Sequence, residues 1–163
     1  ATYACGAGSC GECQGFDGAA GFPNTTDSCV SQSSLTLDDA KFSSLGGNGS
    51  VWLCGASSIY GIMSQHLALV AGPSQPARIS FAAPVISLSF GFAARSFAAS
   101  QGLALEVAGD DHVIGSIMQD ASKVGSWSHH FDAPIAVLSL RSLGQNNQEI
   151  ALDDLVFEPA MCK

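Results

Sequence analysis

Basic residues are scarce in this chain: six Lys and Arg stand against fourteen Asp and Glu, a formal net charge of −8. So few cations cannot build the basic face that a phosphate backbone or an anionic membrane surface requires. Nucleic acid is therefore excluded as a partner, and so is an anionic membrane surface. Charge of either sign is thin, at 12% of residues, while 47% are hydrophobic. That is the reverse of a disordered chain, which is polar and highly charged. Long apolar runs are missing as well. The richest stretch, residues 81–99, is broken by Pro84, Arg95 and several serines, and it does not make the roughly 20-residue membrane helix. No membrane insertion is expected. The 18 glycines follow no three-residue period, which excludes collagen. No G-x-S-x-G elbow, H-E-x-x-H pair or phosphate-cradling glycine loop occurs either. What remains is a single domain over residues 1–163, of a size that buries about two-thirds of its unfolded surface.

Six cysteines are present: Cys5, Cys10, Cys13, Cys29, Cys54 and Cys162. An even count, little lysine and two glycosylation sequons, at Asn24 and Asn48, predict disulfides and an oxidising, extracellular compartment. Ala1 suits the residue left behind by signal cleavage. Six cysteines admit 15 pairings, and the sequence does not choose among them.

Alternation dominates the rest. Ile86, Leu88, Phe90 and Phe92 alternate with Ser87, Ser89 and Gly91, and Leu103, Leu105 and Val107 with Ala104 and Glu106. This is the two-residue period of a strand buried on one face. Residues 78–81 and 135–140 continue the theme. Turn signals fall at Gly72-Pro73, Ala83-Pro84, Gly109-Asp110-Asp111, Gly125-Ser126 and Gly144-Gln145-Asn146-Asn147. The spacing predicts an all-β sandwich or barrel. One segment departs from it: Ile59, Ile62, Met63, His66, Leu67 and Val70 fall at helical spacing, predicting a helical turn before a strand that begins near Gln65. Residues 1–34 read as a cysteine-rich, disulfide-stapled arm with the opening strand, and residues 35–163 as the sandwich body.

Two resemblances bear on function. The run Ile150-Ala151-Leu152-Asp153-Asp154-Leu155-Val156-Phe157, with Cys162 five residues on, is similar to the closing strand of secreted jelly-roll modules. Among these are MAM domains, several carbohydrate-binding modules and the sandwich domains of PEP-CTERM exoproteins. Gly15-Phe16-Asp17-Gly18 resembles their opening strand, residues 35–42 the next, and residues 77–90 their central hairpin. The resemblance implies a jelly-roll-like antiparallel β-sandwich at the cell surface or secreted. It would bind a carbohydrate or cell-surface glycan, with protein as the alternative partner. It also admits a small polysaccharide-active enzyme drawing its base from Tyr60, His66 or Lys123. Separately, Tyr3-Ala4-Cys5-Gly6-Ala7-Gly8-Ser9-Cys10, followed by Cys13, resembles the cluster loop of plant-type 2Fe–2S ferredoxins. That reading requires Cys29 or Cys54 as a fourth ligand.

Candidate sites follow. Among the few acids, three are Asp-Asp pairs: Asp38-Asp39, Asp110-Asp111 and Asp153-Asp154. Neighbouring strand residues face opposite ways, so one member of a pair points inward or sits at a strand end. An inward carboxylate calls for a partner, and cations are few. The jelly-roll resemblance implies a structural Ca²⁺ held by Asp17 with Asp153 or Asp154, backbone carbonyls completing the shell. The alternative is a carboxylate accepting backbone N–H groups at a strand end or turn. Asp110-Asp111 after Gly109 predicts a hairpin turn. Trp127, framed by Gly125-Ser126 and Ser128-His129-His130, predicts an exposed ring able to stack on a sugar, with His129 and His130 beside it. Adjacent histidines on a strand point to opposite faces and cannot chelate one metal together. Trp52, in Val51-Trp52-Leu53-Cys54, reads as core.

Overall fold

The computed structural model describes residues 12–14, 20–37, 39–58, 62–95, 102–120 and 124–160. Among them are eleven strands: β1 (Glu12–Gln14), β2 (Cys29–Gln32), β3 (Leu35–Leu37), β4 (Ala40–Ser43), β5 (Val51–Cys54), β6 (His66–Ala71), β7 (Ala77–Ala94), β8 (Leu103–Gly109), β9 (His112–Gln119), β10 (Val124–Ser142) and β11 (Gln148–Pro159). Every pairing is antiparallel. The all-β antiparallel architecture expected from the alternation is what the chain adopts.

The two longest strands build the sandwich. The first part of β7, residues 77–81, lies between β4 and the C-terminal part of β10, which continues to β8 and β9. The second part, residues 85–94, lies between β11 and the N-terminal part of β10; β11 continues to β6, β5 and β2, with β1 beside its far end. One bent pair of strands thus belongs to two sheets. Pro84 and Pro134 fall at the bend, where the β7–β10 register shifts between His130, Ile135 and Val137. A proline there costs no ladder bond, because the ladder is already interrupted. Ala83-Pro84 is accordingly a corner inside one strand, where the sequence predicts a turn. Gly125-Ser126 is likewise inside β10: a Cβ on Gly125 would lie 2.6 Å from Cζ of Phe92, so the glycine answers a close approach.

The two sheets enclose one hydrophobic core. Phe42, Ile79, Leu105 and Leu138 of the first meet Leu53, Leu67, Phe90 and Phe157 of the second. Phe81 and Phe157 touch across the interface with ring centroids 5.1 Å apart. The predicted Asp110-Asp111 hairpin is present, both residues at positive φ (45° and 67°), and the Asp110 carboxylate accepts the N–H groups of Ala136 and Val137. The helical spacing around residue 62 produces no helix in the described residues. Ile62 instead forms a two-bond bridge with Ser57, and β6 begins at His66. Cys29 and Cys54 face each other in the β2–β5 register and are disulfide-bonded. Closing that loop contributes about 3–4 kcal/mol in the chain-entropy account. Because these two cysteines are bonded to each other, neither can be the fourth ligand that the ferredoxin-like reading requires. Cys5, Cys10 and Cys162, and the side chain of Cys13, lie outside the described residues.

Candidate functional site

The outer face of the second sheet is built from small residues. Ser87, Ser89, Gly91 and Ala93 of β7 point outward, because Leu88, Phe90 and Phe92 between them are buried inward. On β11, Asp153 is opposite Gly91, but Val156 is opposite Ser89: three steps on β11 match two on β7. The extra residue makes a β-bulge, with Asp154 at φ 55°. Alternation from Ala151 sets Asp153 outward, and the bulge follows it at Asp154. The Asp153 carboxylate accepts the N–H of Asp154 at 2.9 Å and the hydroxyl of Ser64.

Ser64 belongs to the segment that enters β6, and this segment folds over part of the outer face. Ile62 rests on Ala93 and Ala151. Gln65 donates its amide to the carbonyl of Pro23 at 2.8 Å and to Oδ1 of Asn24 at 3.1 Å. Between this segment and β10 lies a cleft of about 250 Å³. Gly91, Ala93 and Ala151 form its floor, Ile62, Met63 and Val124 its apolar walls, and Asp153, Asp154, Ser64 and His66 its polar end. A methyl group on Gly91 would meet nothing closer than 3.6 Å, so the floor lies open above that position.

His66 is fully buried beside the cleft. Its Nδ1 lies 3.2 Å from the carbonyl oxygen of Ser64; a carbonyl only accepts, so Nδ1 carries the proton and Nε2 is a bare acceptor. Among the described residues Nε2 has no hydrogen-bond partner. Burial pulls the imidazole pKa down to about 4, the Ser64 carbonyl opposes that, and the nearby Arg95 guanidinium adds to it. The ring is neutral at physiological pH. Arg95 reaches from the end of β7 across β11 and β6 to donate to Sγ of Cys54 at 2.6 Å, and lies 3.6 Å from Oε1 of Glu149. Burial raises the Glu149 pKa, with Arg95 working against it.

The residues nominated from sequence are distributed over both faces. Trp127 and His129 point inward, Trp127 opposite Phe90 and His129 opposite Leu88. The Trp127 ring is half-buried, stacked against Phe90 at 5.3 Å and His129 at 5.8 Å. It is not the exposed platform expected, because two neighbouring rings flank it. His130 points outward, opposite Ser87, so the two histidines do face opposite ways. Trp52 is 37% exposed on the outer face, contrary to its reading as core, while Val51 and Leu53 beside it are fully buried. Asparagines 24 and 48 are both exposed. Of the metal candidates, Asp153 and Asp154 sit at the bulge, and Asp17, like Asp38, Tyr60 and Lys123, lies outside the described residues. Among the described residues no three His, Cys, Asp or Glu side chains gather around one point. Sequence reasoning missed Ser64 and placed His66 in the helical-spacing run and the catalytic pool; the single usable signal was an Asp-Asp pair at residues 153 and 154 in a sequence with few cations. Ser64 donates to a carboxylate and not to an imidazole, which is not the arrangement of an activated nucleophile.

No known family's sequence profile matches the chain, and no curated protein matches it. Likenesses exist among solved structures. A mutant of CBM29-2, a family 29 carbohydrate-binding module, shares 13% identity over 88% of each chain with a TM-score of 0.41. A cleaved adhesin domain of Lys-gingipain shares 10% identity over 58% of this chain and 72% of that one, TM-score 0.40. The Agl-KA catalytic domain shares 12% identity, TM-score 0.38, and the matched part spans 22% of that chain. Likenesses this distant do not bear on function. Among the described residues no helix is long and apolar enough to cross a membrane.

Proposed function

We propose that this chain is a non-catalytic binding domain whose ligand is carbohydrate, held on the outer face of the second sheet at the β11 bulge. The observation that carries the proposal is the make-up of the cleft. A carboxylate, a hydroxyl and an unpartnered imidazole acceptor stand at one end of a small-residue floor with aliphatic walls. Sugars match this, offering hydroxyls at the rim and C–H groups on the ring face. Of the three residues the sequence nominated, His130 shares this face, while Trp127 and His129 pack the edge strand from behind. The Cys29–Cys54 disulfide and the two exposed sequon asparagines support an extracellular setting. A glycan array probed with the intact chain tests the reading. Binding to neutral glycans, weakened about tenfold by Asp153→Asn, supports it. Silence across the array together with affinity for a protein partner overturns it.

Structural calcium stands beside this as a second proposal. The described residues supply two adjacent carboxylates, Asp153 and Asp154, with β1 running alongside and Gln14 opposite Leu155; the third ligand is the Asp17 that the jelly-roll resemblance implies. A bound ion stabilises by mass action. Chelation should therefore lower the melting temperature, and an unchanged transition would remove calcium from the account.

A further inference from the structure

The two ends of the Cys29–Cys54 disulfide have different surroundings. Cys54 is fully buried, while Cys29 is half-buried on β2, whose other residues Val30, Ser31 and Gln32 are exposed. Among the described residues β2 pairs with β5 alone, so Cys29 stands on an edge that an incoming molecule can approach. Cys54 stands one strand further in, with the fully buried His66 opposite it on β6. Charge differs in the same direction. Arg95 brings Nη1 to 2.6 Å from Sγ of Cys54. Its backbone N–H donates to the Glu149 carbonyl at 2.9 Å, and the same Nη1 lies 3.6 Å from Oε1 of Glu149, which helps to hold the guanidinium in place. His66 is neutral and adds no charge. One sulfur thus lies toward solvent and the other against a cation.

We infer that this disulfide is a site of thiol–disulfide exchange with a fixed direction: an external thiolate attacks Sγ of Cys29, and Cys54 is the sulfur that leaves. The incoming low-molecular-weight thiol gives its proton to water before it attacks. Its sulfur then bonds to Sγ of Cys29 as the Cys29–Cys54 bond breaks, and the electron pair of the broken bond departs on Sγ of Cys54. Cys29 then carries a mixed disulfide and Cys54 is a thiolate. One disulfide has replaced another, so no further oxidant or reductant is consumed. Displacement at sulfur runs in line, so the nucleophile reaches Cys29 from the side away from Cys54, which is the edge of the sheet. Attack on Cys54 would need a nucleophile beside a residue that has no solvent contact. A thiol of lower pKa leaves faster, and an adjacent guanidinium lowers a thiol's pKa. Burial by itself would penalise a Cys54 thiolate, and the guanidinium at contact distance offsets that penalty. The product leaves β2 joined to β5 by its backbone ladder, with Cys29 as a modifiable position on the edge.

Exposure of the intact, oxidised chain to excess reduced glutathione, quenched with acid at short times and then alkylated, tests this. Cleavage after Lys41 and Arg78 places Cys54 on a peptide with no other cysteine, and fragmentation of the preceding peptide locates Cys29. Glutathione should stand on Cys29 about tenfold more often than on Cys54, with Cys54 recovered as the alkylated thiol. In denaturant, where burial and the Arg95 contact are both lost, the two cysteines should be taken about equally. Arg95→Gln should slow the exchange about tenfold, and Arg95→Lys should recover part of the rate. A purely structural role for Arg95 has the opposite sign, because a loosened sheet is attacked faster; the melting transition of each oxidised variant is measured alongside. The position of the adduct in the unaltered chain needs no variant. Glutathione mainly on Cys54 overturns the inference, and so does a rate unchanged or raised by Arg95→Gln. A folded chain whose Cys29–Cys54 bond resists glutathione while the denatured chain reacts overturns it as well.

Discussion

The two faces of β7 differ more than any two regions of this protein. Inward, Leu88, Phe90 and Phe92 fill a core shared with Phe157 and Phe81; outward, on the intervening positions, stand Ser87, Ser89, Gly91 and Ala93. The inner set excludes water by bulk. The outer set leaves a cleft by withholding it. The same alternation that fixes the strand also decides which side chains are available to a ligand. The comparison teaches that the binding surface here is defined by what is small.

That contrast can be broken from the inside. Phe90→Ala removes a fully enclosed ring that also supports Trp127, and should cost about 3–5 kcal/mol, read as a lowered denaturation midpoint with an unchanged slope. A loss under about 1 kcal/mol would mean the inner face is not the packed one.

His66 sharpens the comparison, being a buried polar residue beside the outer cleft. Its folded pKa of about 4 lies below the ordinary value of 6.5. Between these values the unfolded chain binds the proton more readily, so stability falls as pH drops from about 6.5 to about 4 and then levels off. The full span corresponds to about 3 kcal/mol. Glu149, with a raised pKa, has the opposite sign: the folded chain holds its proton more tightly, so acid relieves the penalty of burying its charge. His66→Gln should flatten the slope across the His66 window, measured by denaturant titration at several pH values. An unaltered slope would show that His66 is not the group that titrates.

The smallest effect on stability is expected outside. Gly91→Val places a branched side chain on the floor, where its Cβ comes no closer than 3.6 Å to a neighbour, and should change stability by less than about 1 kcal/mol. It nevertheless blocks the cleft. Saccharide binding undiminished by Gly91→Val would place the ligand elsewhere.

Much of this was legible beforehand. Alternation in residues 86–92 and 103–107 specified strands and their buried faces, and Gly109-Asp110-Asp111 specified its hairpin. Long-range facts were not legible. Pro84 reads as a turn because proline ends most central strands; only the crossing of β7 between sheets gives it a place inside one. Trp52 is hidden by apolar neighbours on both sides, so no alternation shows which way it points. Trp127 looks exposed among Gly and Ser, yet its cross-strand partner is Phe90, a pairing set by register and not by local sequence. Asp153 was singled out as half of an Asp-Asp pair in a sequence with few cations. Ser64, its actual partner, is 89 residues away along the chain, beyond any local pattern.

The most direct measurement is a residue-resolved map of where a sugar lands. Backbone amide resonances of the intact chain should be followed while a neutral oligosaccharide recognised on the glycan array is added. Saturable shifts confined to Ser89, Gly91, Ser126, Ser128 and Asp153 are the result this account predicts. Shifts gathered on the β8–β9 side of the sandwich, with those five amides still, would contradict it.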